Sequence, residues 1–569
     1  MKDAATGQDA RGETRVAQPE TRGRNFYLAD PSLQGILQLY LPEKECEHLT
    51  PHLEHLGALV GDRLDDLARD ADRNPPVLHH RDRSGVERQH IEKHPAYEEM
   101  ERLAFGDFSL SVMSHRAALG WPEPLSSLSK YALTYLFAQS EFGLLCPVNM
   151  TDSLTRTIRR YASPELLERY LPRLLADDPA EMFQGAMFMT EQFAGSDVGA
   201  TETRAVASGD HWLLTGEKWF CSNVDTDLAL VLARPEGAGP GTRGLGLFLL
   251  PRLLGCGVPN SYRMIRLKEK LGTRAMPSGE ICLEGAVAWL VGNLGQGFKQ
   301  MAEMMNQSRL SNGVRSAGLM RRAVHEAMAV AQGREAFGRP LIELPLMRRQ
   351  LAKMIVPAEQ ALAMLAFTAD RLDRADRGDE EAMILRRILT PLIKFRACRD
   401  ARQVAGDAME VRGGCGYVEE WIEPRLLRES HLGSIWEGTS NIVALDVIRA
   451  ARKVDAHRVL GEVLGEIAEG APEGLTGPLI EHLDRAVALV GHVAGSGDEA
   501  ESLARQAATG LYNAATAILL AAHSVSLDQP WRADAARLVL RHRLGAPDPL
   551  APVDRNQPEV DSLLAALVV

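Results

Sequence analysis

The stretch MFMTEQFAGSDVGATETRA, residues 187–205, is where the chain changes its period. Its first residues alternate as a strand does. Thr190, Ala194, Gly195 and Ser196 follow, small residues that let backbone N–H and hydroxyl groups come close to a flat ligand. Upstream, over residues 26–184, apolar residues recur at helical spacing in YLADPSLQGILQLYLP, HLEHLGALVGDRLDDLARDA, LSSLSKYALTYLFAQSE and SPELLERYLPRLLAD. Residues 185–297 read as short β runs, six to eight in number, with Thr215 to Lys218 as a hairpin turn. The helical period then returns over residues 298–453. LPLMRRQLAKMIVPAEQALAMLAF puts Leu344, Met347, Leu351, Met354, Ala358, Leu362 and Leu365 on one face, and another helix spans about Glu380 to Val411. An Ala-rich helical extension occupies residues 454–569, and the polar residues 1–25 read as a disordered tail. The expected fold class is mainly α with a β-barrel-like middle domain.

Composition narrows the function classes. A chain of 569 residues has room for several domains, and its formal net charge of -12 offers no overall basic footprint for nucleic acid. From Lys453 onward nine cations face sixteen anions. Seven scattered cysteines without a CxxC pair fit a reducing compartment and argue against a zinc site. His79, His80, His90 and His94 fall in a loop-like stretch and read as solvated loop histidines rather than metal ligands. The chain shows no apolar run of about 18 residues and no signal-peptide pattern at its start, so the expected location is cytoplasmic, with no membrane partner.

A second stretch, SIWEGTSNIVALDVIRAARKV at residues 434–454, carries one carboxylate, Glu437, beside Trp436 in a Gly-loosened turn before a helix. Thr439 or Ser440 can cap that helix, whose apolar face is Ile442, Val443, Val447 and Ile448. Burial against the indole would raise the carboxyl pKa and the helix-start N–H groups would lower it, which suits a base working near neutrality. On this stretch alone the plainer reading is an ordinary helix-start carboxylate. The rest of the chain has to decide.

TE-x-x-AGSD in the first stretch, followed in order by LTGEKWFCSN, EKLGTRAMPSGE, GQGF, GREAFGRP, EVRGGCGY and WEGTSN, resembles the acyl-CoA dehydrogenase flavoprotein family. The WEGTSN and EVRGGCGY stretches, HPAY at 94–97, LLCPVNMT at 144–151 and the C-terminal extension resemble its AidB-like branch. The resemblance implies FAD as cofactor and an N-terminal helical domain, β-domain and helical bundle assembled as a homo-oligomer, a tetramer. It implies α,β-dehydrogenation of an acyl thioester with Glu437 as base, the thioester oxygen accepting hydrogen bonds from the Glu437 N–H and a flavin ribityl hydroxyl. Met187, Met189, Thr190 and Ser196 would lie along the flavin pyrimidine edge, with Phe220 and Ser222 near its ring. Arg334, Phe337, Glu410, Gly413, Gly414, Thr439 and Asn441 would hold the FAD of a neighbouring subunit. Ser196, Arg309 and Trp436 would face substrate, and an electron-transfer flavoprotein or another acceptor would take the electrons.

The residues themselves allow these roles. Alternation puts Phe220 and Ser222 on one face, and the Arg334 guanidinium is a fork suited to phosphate. Departures from the family pattern are Phe220 and Ser222 for the usual Trp and Thr, Ala336 for a phosphate-binding Thr, and Asn306 for an acid three residues before Arg309. Ser308 stands where some relatives place their catalytic Glu, which leaves Glu437 without a rival. The AidB-like features also imply an alternative, a DNA-associated flavoprotein of the alkylation response. The acidic extension speaks against DNA, although Arg532, Arg537, Arg541 and Arg543 recur at helical spacing and could form a local patch.

Overall fold

The computed structural model describes residues 18–545 and 558–567, together with 7–8, 14–15 and 550. These residues form two compact units. One contains residues 63–126 and 141–311, the other 1–62, 127–140 and 312–569, so the N-terminal helices are shared out between them.

The first unit is built on seven strands: β1 (Gly185–Phe188), β2 (Arg204–Ser208), β3 (His211–Ser222), β4 (Leu228–Pro235), β5 (Gly246–Pro251), β6 (Tyr262–Leu267) and β7 (Ser278–Val291). β7, β3, β2 and β4 pair in that order, and β5 joins β4 back to β7, so five strands close a barrel while β6 and β1 flank it. Closure gives each of those five strands a partner on both sides, although β2 meets β4 only at Arg204 and Ala205. Ala186, Phe188, Leu214, Cys221, Val231, Phe248, Met264 and Ile281 fill the interior. The expected hairpin turn at Thr215 to Lys218 is not a turn, because β3 runs unbroken through it and pairs with β2 on one side and β7 on the other. Gly216 absorbs the irregularity: its φ is 149°, and a Cβ there would stand 2.8 Å from Thr203 Cα. The chain actually reverses at Gly209, between β2 and β3. The four histidines do not share a loop either: Val77–Arg81 and Glu87–Glu92 form an antiparallel hairpin in which His79 stacks on His90 and meets Glu92 at 2.8 Å. His94 caps the helix Pro95–Glu101.

The second unit is helical. The division falls within the helix Gly297–Gly333; beyond it come Pro345–Asp376, Glu380–Arg412, Glu423–Gly433 and Ser440–Val454. Leu351, Met354, Ala358, Leu362 and Leu365 are buried, as their spacing predicts. Pro345–Asp376 is long and apolar enough to cross a membrane, but 94% of its apolar window is buried. Asp379 caps Glu380–Arg412 by accepting from the Ala382 N–H, and Gly413 at φ 75° ends it. The extension contributes Ala456–Glu469, Thr476–Gly495, Ala504–Ser526, Pro530–Val539 and Pro558–Ala566.

At the centre of this unit Arg321, fully buried, meets Asp30 at 3.2 Å, Glu359 at 2.6 Å and the Tyr135 hydroxyl at 2.9 Å. Arg532 of the extension lies 3.9 Å from Glu359 and donates to the Ser32 carbonyl at 3.1 Å. The expectation of a disordered tail as far as residue 25 is corrected over the described residues. Gly7–Gln8 pairs with Thr14–Arg15, Thr21 is buried, and the Gly23 N–H donates to the Gly61 carbonyl at 2.9 Å.

His523, buried in the same unit, shares a 2.9 Å hydrogen bond with the Tyr40 hydroxyl. Burial first, then the Arg532 charge, pulls its pKa down to about 3. A histidine held neutral in the fold but free to charge when unfolded adds stability that is complete above pH 6.5 and is lost progressively as pH falls toward its folded pKa. Between pH 6.5 and 5 this group costs roughly 2 kcal/mol. His523→Gln is therefore expected to flatten the fall of the thermal midpoint over that range, measured by calorimetry. His325, depressed for the same reasons, leaves a residual slope.

Candidate active site

In the barrel unit the TE loop is fastened by a buried ion pair. Lys218, fully buried on β3, donates to Glu191 at 2.6 Å and to the Leu232 carbonyl at 2.8 Å. The same carboxylate accepts from the Thr203 hydroxyl at 2.5 Å and from the Glu202 N–H at 2.6 Å. Burial opposes ionisation of Glu191, but Lys218 and these donors outweigh it and hold its pKa below the usual value. Burial in turn lowers the Lys218 pKa against the pull of Glu191. Beside the pair the Trp219 N–H donates to the Thr190 carbonyl at 2.8 Å, which docks the loop onto β3.

Opposite this point β3 carries a bulge. Cys221 pairs with Gly279 and Lys218 with Ile281, so Trp219 and Phe220 together face the single residue Glu280. The extra residue breaks the alternation: Lys218 turns inward while Phe220 is 56% exposed, a large aromatic surface left open. Glu280 holds Lys268 at 2.5 Å, and the Lys268 ammonium lies 3.4 Å from the Trp219 ring centre and 4.7 Å from that of Phe220. Ser222 is half-buried, Met187, Met189 and Thr190 are half-buried, and Gly195 and Ser196 are exposed. Strand register and the Trp219–Thr190 bond thus bring Met189, Thr190, Phe220 and Ser222 into one neighbourhood. Arg309, in the same unit, is buried and reaches Asn306 Oδ1 at 3.4 Å.

In the helical unit Glu437 occupies the turn between Glu423–Gly433 and Ser440–Val454, with φ 55°, followed by Gly438 at φ 102°. A left-handed glutamate is uncommon, and such residues cluster where function fixes a side chain's direction. Lys394 ties the turn down by donating to the Gly438 carbonyl, and Arg399 donates to Ser440 Oγ at 3.1 Å. Trp436 is backed by buried Arg315, 5.5 Å from its ring centre. Thr439 takes the N-cap position, but its side chain makes no capping hydrogen bond. Further along, Arg334 donates to the Arg412 carbonyl at 3.1 Å beside left-handed Gly413, where a Cβ would stand 3.4 Å from the guanidinium. Gly414 has open space where a Cβ would be, Phe337 is 93% exposed, and Glu410 meets Gln350 at 3.3 Å. Asn441 is exposed. A guanidinium beside two glycines and an open aromatic ring fits the anionic diphosphate of a dinucleotide.

Comparison with known proteins agrees with this architecture. The acyl-CoA dehydrogenase C-terminal domain matches residues 295–452, its middle domain residues 186–286, and the adaptive response protein AidB N-terminal domain residues 17–178. The putative acyl-CoA dehydrogenase AidB of Escherichia coli is 36% identical over 457 residues, 78% of this chain and 81% of that protein. The acyl-CoA dehydrogenase family member 11 of Caenorhabditis elegans is 34% identical over 441 residues, 75% of this chain and 70% of that one. The crystal structure of Caenorhabditis elegans ACDH-11 in complex with C11-CoA has a TM-score of 0.87 against this fold, with 28% identity over 96% of this chain and 94% of that one. The Bd2924 apo-form has a TM-score of 0.82, with 33% identity over 90% of this chain and 100% of that one. The chain belongs to the acyl-CoA dehydrogenase family and is an oxidoreductase of that class. Within it, the chain stands with the AidB-like members.

The Lys218–Glu191 pair escaped the sequence reading. The signal available was a lysine flanked by strand residues together with a TE pair upstream, but only the fold shows that they meet. Lys218→Met leaves a buried carboxylate without its partner and is expected to cost about 3–5 kcal/mol of stability. Denaturant titration checks this, and adding Glu191→Gln to the same chain should recover part of the loss.

Proposed function

We propose that the chain is an FAD-dependent α,β-dehydrogenase of an acyl thioester, with Glu437 as its base. The observation that carries this reading is the left-handed turn that fixes Glu437 before a helix, beside a tryptophan backed by a buried arginine. The α C–H of a thioester is a weak acid. A carboxylate held in place removes that proton more readily than one that must be ordered first, and the Glu437 backbone N–H serves the thioester oxygen as charge develops there. Bound FAD supplies the hydride acceptor for the β-hydrogen.

In this reading Met187, Met189, Thr190, Ser196, Phe220 and Ser222 of the barrel unit serve the flavin ring, and Ser196 and Arg309 of that unit and Trp436 of the helical unit serve the substrate. Arg334, Phe337, Glu410, Gly413, Gly414, Thr439 and Asn441 hold the dinucleotide of a neighbouring subunit in a cytoplasmic homotetramer. An electron-transfer flavoprotein or another acceptor takes the electrons. The C11-CoA bound to the Caenorhabditis elegans relative supports acyl-CoA as the substrate class.

The alternative, a DNA-associated flavoprotein of the alkylation response, needs free cations on the extension. The four candidate arginines are engaged: Arg532 is buried, Arg537 meets Asp534 at 2.6 Å, Arg541 meets Glu559 at 2.7 Å and Arg543 meets Asp400 at 3.2 Å. Phosphate contacts would have to break those pairs.

Glu437→Gln is expected to retain FAD while anaerobic bleaching of the flavin by acyl thioesters slows by about 10² to 10⁴ in single-turnover kinetics. Unchanged rates would refute the assignment, and loss of FAD would mark Glu437 as structural. Fluorescence anisotropy of labelled duplex DNA with the full chain at low and moderate salt is expected to show no binding tighter than about 10⁻⁶ M, the tight end of the non-specific range. Tighter binding, weakened by Arg537→Ala with Arg541→Ala, would restore the DNA reading.

A further inference from the structure

Behind the Arg334–Gly413 cradle lies a buried cluster that no catalytic role explains. The Arg412 side chain, only 1% exposed, donates to Glu423, to Glu326 at 2.7 Å and to the Pro19 carbonyl at 2.9 Å, and it stacks 4.3 Å from the Trp421 ring centre. Glu326 also accepts from Arg322 at 2.8 Å and from the hydroxyl of buried Thr21. Burial and the Glu326 charge push the Glu423 carboxyl above its usual pKa, against the pull of Arg412. Two of these anchors, Pro19 and Thr21, belong to a segment about 300 residues or more from the others in sequence. That segment lies so close to the end of the helix Gly297–Gly333 that a Cβ on Gly333 would come within 2.6 Å of the Pro19 ring.

We propose that residues Pro19–Thr21 form a strap which, through Arg412, positions Arg334 and Gly413 for the flavin diphosphate. Arg412 is the link because its two ends do different work. Its guanidinium is locked by the strap and two carboxylates, while its carbonyl accepts from Arg334 immediately before the left-handed glycine. A guanidinium already directed at its phosphate loses less freedom on binding than one that must be ordered. The strap therefore acts on cofactor affinity, and Arg412 is a positioning residue. The inference rests on the flavin reading above.

The test uses the full chain, stripped of FAD and titrated back with FAD fluorescence as readout. The thermal midpoint of the apoprotein is measured in parallel. Gly333→Ala pushes a methyl against Pro19 without altering any charge, and Thr21→Val removes the hydroxyl that reaches Glu326. Both are expected to raise the FAD Kd about tenfold, a loss read directly from the titration, with the apo midpoint little changed. Thr21→Ser, which keeps the hydroxyl, and deletion of residues 1–16, which keeps the strap, are expected to bind as the parent does. An unchanged Kd in Gly333→Ala and Thr21→Val overturns the proposal while leaving the flavin reading intact. So does a weakening that merely follows a lowered apo midpoint and is reproduced by the core change Leu362→Ala. A parent chain that takes up no FAD overturns both readings.

Discussion

Arg321 cannot be left without its partners. A guanidinium taken wholly out of water is tolerable only if carboxylates and further hydrogen bonds surround it, and removing one of them strands the rest. Here the partners are Asp30, Glu359 and Tyr135, from three segments far apart in sequence, and Arg532 comes from a fourth. Hydrophobic packing alone would let such helices settle in several registers, because leucine faces tolerate sliding. A charge that must meet two carboxylates allows far fewer. The mutual register of the helices Gly297–Gly333 and Pro345–Asp376 is restricted by that requirement.

The two regions proposed to carry chemistry use the same device, a local departure from regular structure fixed by a lysine. In the barrel the bulge at Trp219 and Phe220 turns an aromatic ring outward, and Lys218 on its inner side fastens the loop before it. In the bundle a left-handed glutamate directs its side chain, and Lys394 secures the glycine that follows. Neither departure would persist unless its surroundings over-determined it. The cost is met by rigid neighbours, a closed barrel in one case and helices on both sides of the turn in the other.

Regular elements were legible in the sequence because periodicity is local. The Leu351, Met354, Ala358, Leu362 and Leu365 face is buried as spaced, and the β runs became seven strands in the middle of the chain. The motif order carried the family. What stayed hidden depended on residues that meet only after folding. Lys218 looked like part of a turn because a polar cluster with a glycine imitates one, and its partner Glu191 lies 27 residues away. The polar residues up to 25 looked like a tail because nothing near Thr21 in sequence reveals Glu326, 305 residues on. The hairpin holding His79 and His90 was missed because charged and polar residues on both its faces erase the alternation that marks a half-buried strand.

The burial of Arg532 bears on how such a chain can change over generations. An appended domain that touches its host through a solvated face can be gained, lost or exchanged by recombination with little repair at the joint. This extension sends a charged side chain into the same cluster that orders the bundle, against Glu359 and the Ser32 carbonyl. A lineage that shed it would have to rewrite those inner positions together, and one that acquired it would have needed them ready. Losing the extension would take Arg532 out of that cluster, so extension and bundle share one set of inner polar contacts.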